Sequence, residues 1–455
     1  MRHWDPLYTY RSYKRIKRSG LLQASPPVVL AAGFLALILL GTILLWLPVA
    51  TQHPISLFSA FFMATSAVTV TGLVVIEPAL ALTHFGQIVL AMLVQLGGLG
   101  FVTFAVVAAI TLGHKMSLQH QALALEAFNQ TSVSKIQRTA FLVIKISLGI
   151  EAIAAAILTL WWWRDYPFVT ALYRAIFHTI AAFNNAGFSL FPGSLSRFVS
   201  DPVTIFVISF LIILGGIGFS VLGDIGHKRR WSTLLPYTKV ILLGTLGLNL
   251  TGFIAIWLLE LNNPATLGDL PLHGQALAAW MQSVTARTAG FTSIDITQLR
   301  DSSTLVMMLL MFIGGGSLST ASGIKLGTFI VLLAAVYSYI CHKKEVVLLN
   351  RSISPDTVQK SLALLLVTCA LAFGGVLLMT IFEKESFINL LFEVVSALST
   401  TGLSRDLTAN LSIPSQALLT VLMFAGRLGP LTLIYSLATR KRSRIRYPET
   451  QFQVG

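Results

Sequence analysis

A short apolar segment, Phe387 to Leu398, runs into Ser399-Thr400-Thr401-Gly402-Leu403, and polar chain follows. It holds about a dozen residues, whereas a helix needs roughly 20 to cross a bilayer. Such a segment can dip into a membrane and return, but it cannot span. The return falls at Thr-Thr-Gly, where glycine permits backbone angles that a Cβ resists, so carbonyls there can turn toward a common axis. The chain around it is 55% hydrophobic and 11% charged, against about 25% charged in a soluble domain. A polytopic membrane protein is the expected class.

The pattern recurs three times. Leu57 to Val68 leads into Thr69-Val70-Thr71-Gly72-Leu73, Thr170 to Phe183 into Asn184-Asn185-Ala186-Gly187-Phe188, and His273 to Ala286 into Arg287-Thr288-Ala289-Gly290-Phe291. The glycines stand roughly 100 residues apart, the period of a large unit rather than of a solenoid. Four such turns predict a ring of backbone oxygens, the means by which a potassium filter replaces an ion's water shell. The candidate layer is Val70, Thr71 and Gly72 with Asn185, Ala186 and Gly187, Thr288, Ala289 and Gly290, and Thr400, Thr401 and Gly402. Potassium there is the only metal expected.

A net charge of +14 suits nucleic acid or anionic lipid, but its distribution has a plainer reading. Most of the 32 lysines and arginines fall in the N-terminus, the loops near 113–139, 226–239 and 341–360, and the tail from Arg440. By the positive-inside rule these stretches and both termini are cytoplasmic, and the glycine turns face outward. Membrane lipid is then the expected surroundings, with no nucleic-acid partner. Cys341 and Cys369 imply no disulfide framework.

Taken in order, the expected fold is an all-α membrane protein of four tandem membrane-pore-membrane (M1-P-M2) repeats, arranged pseudo-fourfold around one pore. It has eight transmembrane helices and four re-entrant pore helices. A cytoplasmic arm occupies 1–27, the repeats 28–112, 139–222, 237–340 and 357–438, and a cytoplasmic tail 439–455. The return spans are expected at Phe85 to Leu112, Pro202 to Leu222, Ser303 to Ile340 and Pro414 to Ala438, with only the third interrupted. Trp161-Trp162-Trp163 is expected in an aromatic belt at the outer interface.

Each return span also carries a glycine cluster: Gly97-Gly98-Leu99-Gly100, Gly215-Gly216-Ile217-Gly218, Gly314-Gly315-Gly316 and Gly426-Arg427-Leu428-Gly429. Close helix packing is the ordinary use of such clusters. The third extends through Ser317, Ser319, Thr320, Ser322, Gly323 and Lys325, too polar for a lipid-facing helix. Unwound backbone at membrane depth needs protein or a water cavity around it, so a broken helix and an intramembrane gate are expected. A kinked helix without a gating role is the alternative. Arg427 lies within the last span, where a charge is costly and functional by default. It either places a positive charge beside the ion path or forms an ion pair with Glu151 or Asp224. Phosphate loops, dinucleotide fingerprints and hydrolase elbows are absent from the sequence, so no enzyme is expected. His178 and His273 read as structural.

The four turns, with the Gly-Gly-Gly and Ser-Gly-Ile-Lys segment, resemble the Trk/Ktr/HKT superfamily of potassium transporters over almost the whole chain, and most closely its Ktr branch. The resemblance implies a potassium-translocating subunit of a bacterial uptake system in the inner (plasma) membrane. It implies a homodimer with one pore per protomer, seated on a cytosolic ring of KtrA-type nucleotide-binding regulatory subunits. Nucleotide then belongs to the partner, no cofactor is covalently bound, and sodium is a candidate activator. A sodium-selective or unselective cation carrier on the same scaffold is the rival reading.

Overall fold

The computed structural model describes residues 26–100, 133–228 and 230–429. The N-terminal arm, the end of the first return segment with most of the loop near 113–139, and the C-terminal tail lie outside the described residues.

Fourteen α-helices of ten or more residues are found among the described residues, besides short 3-10 and π turns. They are α1 (Pro26–Trp46), α2 (Leu57–Val68), α3 (His84–Leu99), α4 (Val133–Trp162), α5 (Phe168–Phe183), α6 (Pro202–Ile217) and α7 (Phe219–Lys228) in the first half. The second half holds α8 (Pro236–Glu260), α9 (Leu272–Thr285), α10 (Asp301–Phe312), α11 (Leu326–Ile340), α12 (Pro355–Phe382), α13 (Phe387–Ser399) and α14 (Ile413–Leu428). A four-residue helical turn at Pro78–Ala81 is the one further α segment among them. The starts are chemically marked. Ser56, Thr83, Asp201, Ser354 and Ser386 each accept from a backbone N–H of the first turn, satisfying donors a helix end leaves free. Within apolar helices the hydroxyls of Thr42, Thr65, Ser147, Thr159 and Thr368 donate back to the carbonyl four residues earlier. In lipid no water would do this for them.

The helices pack as four groups: α1, α2 and α3; α4, α5 and α6; α8, α9 and α10; and α12, α13 and α14. Contacts between groups are cyclic. The third helix of each group packs on the short helix of the next: α3 on α5, α6 on α9 and α10 on α13. The cycle closes with α14 on α2. The outer faces of the long helices stay apolar and exposed, as at Ile153, Leu258 and Phe373, which suits hydrocarbon and not water.

Three described helices are individually long and apolar enough to cross a membrane: the Ala140–Trp162 part of α4, α8 and α12. The pair α6 and α7 makes a fourth if counted as one span, bent by 97°. The return segments therefore differ from expectation. Interruption is not confined to the third: α6 gives way to α7 at Gly218 (φ 100°). α3 ends at Leu99 before Gly100 (φ 80°) and α14 at Leu428 before Gly429 (φ 84°), where the described residues also end. A positive-φ glycine diverts the backbone from the helix without changing the hydropathy of the run. One further departure from an all-α chain is a hairpin of β1 (Val347–Leu348) and β2 (Arg351–Ser352), turned by Leu349 and Asn350, both at positive φ. Of the three tryptophans, Trp163 is exposed, but Trp162 is wholly buried. Its indole donates to Thr204 Oγ1 at 3.0 Å and packs against His178, Phe191 and Phe198.

Candidate functional site

Each short helix, α2, α5, α9 and α13, ends just before one of the glycine turns. The turns share a backbone signature. Val70, Asn185, Thr288 and Thr400 have φ between 50° and 66°, and two residues later Gly72, Gly187, Gly290 and Gly402 have φ between 68° and 91°. Three of the four non-glycine residues are β-branched, for which positive φ is a genuine outlier. Such strain, about 1–2 kcal/mol per residue, persists only where the surroundings enforce it. The enforcement is visible. Thr71, Ala186 and Thr401 each donate a backbone N–H to the carbonyl five residues earlier, at 2.7 to 2.8 Å. The third turn departs slightly, with Ala289 donating to Thr285 at 2.9 Å.

The turns meet. A Cβ added at Gly72 would strike the Ala186 carbonyl, and one at Gly187 would lie 2.8 Å from that of Ala289. One at Gly290 would lie 2.5 Å from the Thr401 carbonyl, and one at Gly402 would strike that of Thr71. The contacts run from the first turn to the second, third, fourth and back to the first. Main-chain oxygen thus crowds a closed ring at the centre of the four helix groups. Closely set carbonyl dipoles of this kind can ligate a dehydrated cation without any side-chain charge.

A cavity of about 490 Å³ opens on the ring and is lined by all four glycines together with Glu77 and Asp406. Burial, with Asp295 beside it, pushes the Asp406 carboxyl up from its ordinary value. Acidic lining of a low-dielectric mouth raises the local cation concentration. Among the described residues no three His, Cys, Asp or Glu side chains are placed to hold a metal ion.

The short helices are held from behind by glycine. A Cβ at Gly97, Gly215 or Gly426 would strike the carbonyl of Val68, Phe183 or Leu398. Those are equivalent residues, each four before its ring glycine. In the third group the corresponding stretch is not helical. The segment Gly314, Gly315, Gly316, Ser317, Ser319, Thr320, Ser322, Gly323 and Lys325 leaves α10 and rejoins helix at α11. It is pinned on several sides. Gly316 and Thr320 donate backbone N–H groups to the Gly216 and Gly215 carbonyls at 2.8 and 3.2 Å. Ser317 donates to the Tyr237 hydroxyl at 2.8 Å, and Thr320 Oγ1 lies 3.3 Å from Asn185 Oδ1 of the second turn. Ser319 Oγ donates to the Gly316 carbonyl at 2.7 Å and Lys325 Nζ to that of Ala321 at 2.6 Å. The loop is therefore a buried to half-buried strap, bonded both within itself and to α6, α8 and the second turn.

Arg427 forms no ion pair with Glu151 or Asp224. Its guanidinium donates to the carbonyls of Thr320 and Gly97 at 2.5 Å each, to that of Gly98 at 3.1 Å and to Ser322 Oγ at 3.4 Å. Every acceptor is neutral. Asp224 instead pairs with Lys228 at 2.9 Å, and Glu151 accepts from Gln95 Nε2 at 3.1 Å and Asn184 Nδ2 at 3.4 Å. Arg287 donates to Asn249 Oδ1 at 3.3 Å and the Gly314 carbonyl at 3.2 Å, tying the third turn to the start of the strap.

Sequence reasoning misses the buried carboxylate of Glu393 and the contacts of the half-buried Arg405. Glu393, inside α13, accepts from Ser404 Oγ, Arg405 N and Thr408 Oγ1 at 2.5 to 3.0 Å. Arg405 in turn donates to the Thr297 carbonyl at 2.8 Å, bridging the fourth group to the third. A lone carboxylate in an apolar run was the available signal.

A helical scaffold closing cyclically on a ring of main-chain oxygens defines a membrane protein for small cations, and the relatives agree. The TrkH family, described as cation transport protein, matches residues 23–443. This chain belongs to that family: it is a multi-pass membrane transport protein and not an enzyme. "Ktr system potassium uptake protein B" of Bacillus subtilis is 44% identical over 431 residues, covering 95% of this chain and 97% of that protein. The Vibrio alginolyticus protein of the same name is 41% identical, with 97% of each covered. "Potassium/sodium uptake protein NtpJ" of Enterococcus hirae is 33% identical, covering 97% of this chain and 99% of that one. The crystal structure of the potassium transporter TrkH from Vibrio parahaemolyticus matches with a TM-score of 0.68 at 21% identity, covering 90% of this chain and 85% of that one. It is a likeness of fold.

Proposed function

We propose that this chain is the potassium-translocating subunit of a Ktr-type uptake system. The observation that carries the reading is the closed ring of Gly72, Gly187, Gly290 and Gly402 against one another's neighbouring carbonyls. Four M1-P-M2 units, counted as eight crossings and four re-entrant pore helices, surround one pore. Potassium sheds water in the vestibule and is coordinated by carbonyls of Val70-Thr71-Gly72, Asn185-Ala186-Gly187, Thr288-Ala289-Gly290 and Thr400-Thr401-Gly402. The alternation of backbone handedness in all four turns supports this. A negative-inside potential drives entry, worth about 2.3 kcal/mol per charge per 100 mV.

The strap from Gly314 to Lys325 is the gate, and Arg427 is the charge that holds it and repels cations waiting behind it. Its hydrogen bonds to Thr320 and Ser322 support that pairing. The protein works as a homodimer in the bacterial inner membrane, with both termini cytoplasmic. A KtrA-like nucleotide-binding ring opens the gate, and sodium acts as activator. The names of the two relatives above 40% identity support assignment to a Ktr system.

The test is potassium flux into liposomes holding the purified chain, with and without a KtrA-type ring. Potassium-preferring flux that the ring and its nucleotide regulate is expected; equal flux of sodium and potassium would contradict the potassium assignment. That outcome would favour the second reading, a sodium-selective or unselective carrier. The 33% identity to a protein named for both ions keeps this reading in view.

A further inference from the structure

Nine positions before its ring glycine, each short helix carries a buried residue: Met63, His178, Met281 and Glu393. In the second and fourth groups this residue clamps the chain that leaves the ring. His178 Nε2 lies 3.0 Å from Ser189 Oγ and receives the Leu190 N–H at 3.4 Å. Glu393 Oε1 receives Ser404 Oγ at 2.7 Å and the Arg405 N–H at 3.0 Å. Ser189 and Ser404 both stand two residues after the glycine, and Leu190 and Arg405 three after. Each serine hydroxyl also receives a backbone N–H from further out, though at different spacings: Phe191, four residues after its glycine, donates to Ser189 Oγ at 3.0 Å, and Leu407, five after its glycine, to Ser404 Oγ at 3.3 Å. His178 Nδ1 lies 2.7 Å from the Arg174 carbonyl. That oxygen only accepts, so Nδ1 carries the proton and Nε2 is the acceptor.

The other two groups lack this clamp among the described residues. Each has methionine in the acceptor's place, a flexible and apolar filler. The third group has only a 3.5 Å contact between Gln282 and Ser293. Because the ring runs in chain order, the clamped turns are diagonally opposite. Two opposing exits are tied to their own short helix by a polar clamp and two are not; the third is instead bonded to the second, Thr292 N–H donating to Ser194 Oγ at 3.2 Å and Leu195 N–H to the Thr292 carbonyl at 2.8 Å.

We propose that His178 and Glu393 are paired positioning residues that hold opposite walls of the ring's outer end and so set its discrimination among monovalent cations. This rests on reading the ring as the ion filter. Selectivity in such a ring is set by its size and by the number and field of its carbonyl dipoles; both follow from where the chain leaving the ring is held, and buried hydrogen bonds to a side-chain acceptor hold it here. Neither residue touches the ion; each acts through the chain that leaves the ring.

The experiment compares potassium and sodium flux in liposomes for His178→Met, Glu393→Met, Glu393→Gln and Gly402→Ser. The methionine variants copy the other two groups, while glutamine keeps an acceptor for Ser404 and Arg405. Each methionine variant is expected to lower the potassium-to-sodium flux ratio about tenfold, the worth of one strong buried hydrogen bond, with total cation flux retained. Glu393→Gln is expected to stay within about twofold of the unsubstituted ratio, since the acceptor survives. A methionine variant with an unchanged ratio, beside a Gly402→Ser protein that has lost selectivity, overturns the clamp and leaves the filter standing. An unchanged ratio in both removes the filter reading and the clamp with it. A glutamine variant as damaged as methionine also overturns the proposal. If the methionine variants do not insert, Ser189→Ala combined with Ser404→Ala removes the hydroxyl half of both clamps; a lowered ratio supports the clamp and an unchanged one overturns it.

Discussion

The guanidinium of Arg427 donates to the carbonyl of Thr320 at 2.5 Å, joining the last return helix to the strap beside the second turn. The same group reaches Gly97 at the end of α3. One side chain therefore holds three elements. Arg427→Ala is predicted to raise basal potassium flux several-fold, because both the tether and the charge are lost. Arg427→Lys keeps the charge but not the planar fork, so an intermediate flux is expected. Liposome flux without the cytosolic partner is the measurement; a fall in flux from correctly inserted protein would argue against a restraining role.

Shortening the strap within 314–327 is predicted to raise flux and uncouple it from the partner ring. Its backbone bonds to Gly215 and Gly216 are what the change removes. Flux measured with and without the partner and its nucleotide checks this. A shortened protein still fully regulated would place the gate elsewhere.

Trp162 tests the packing behind the second turn. It is wholly buried and contacts His178, Phe191 and Phe198. Trp162→Ala is predicted to cost about 3–5 kcal/mol, read as a lowered thermal midpoint in detergent. Trp162→Phe keeps most of the ring contact and loses the bond to Thr204, for about 1 kcal/mol.

Glu383, beyond the end of α12, gives a pH signature. Burial raises its carboxyl, but hydrogen bonds from the Ser412 and Ser415 hydroxyls and the Ser412 N–H outweigh this, and the net shift is downward. A lowered folded value means stability present above the unfolded value, about 4.3 for glutamate, and lost as pH falls through the folded one. The thermal midpoint of Glu383→Gln is predicted to fall below that of the unsubstituted protein at pH 7. The gap should close below about pH 4. A gap that is constant with pH would show that the carboxylate's charge is not involved.

The turns and their lead-in helices were legible because short apolar runs ending in glycine announce themselves locally. The apolar runs are Leu57 to Val68, Thr170 to Phe183, His273 to Ala286 and Phe387 to Leu398. The helices are Leu57–Val68, Phe168–Phe183, Leu272–Thr285 and Phe387–Ser399. The strap was legible because Gly314 to Gly327 is too polar for lipid. The bend at Gly218 was not, because Leu211 to Leu222 keeps its apolar character through it and hydropathy does not see φ. Nor were the acceptors of Arg427. They are carbonyls some 330 and 107 residues away in the chain, whereas the sequence displays only candidate carboxylates. Glu393 and His178 share a position relative to their glycines, but their partnership with Ser404 and Ser189 exists only once each turn has folded back over its helix.

Gly402→Ser offers the most direct test of the ring. Its φ is 85°, and a Cβ there would strike the Thr71 carbonyl, so serine must open the contact that closes the cycle. Potassium and sodium uptake should be measured side by side on purified, reconstituted protein. A potassium-to-sodium preference reduced by about tenfold or more, with the protein still inserted and conducting, is the expected result for a perturbed carbonyl filter. Kinetics for both ions indistinguishable from the unsubstituted protein would mean that cations cross this molecule by another path.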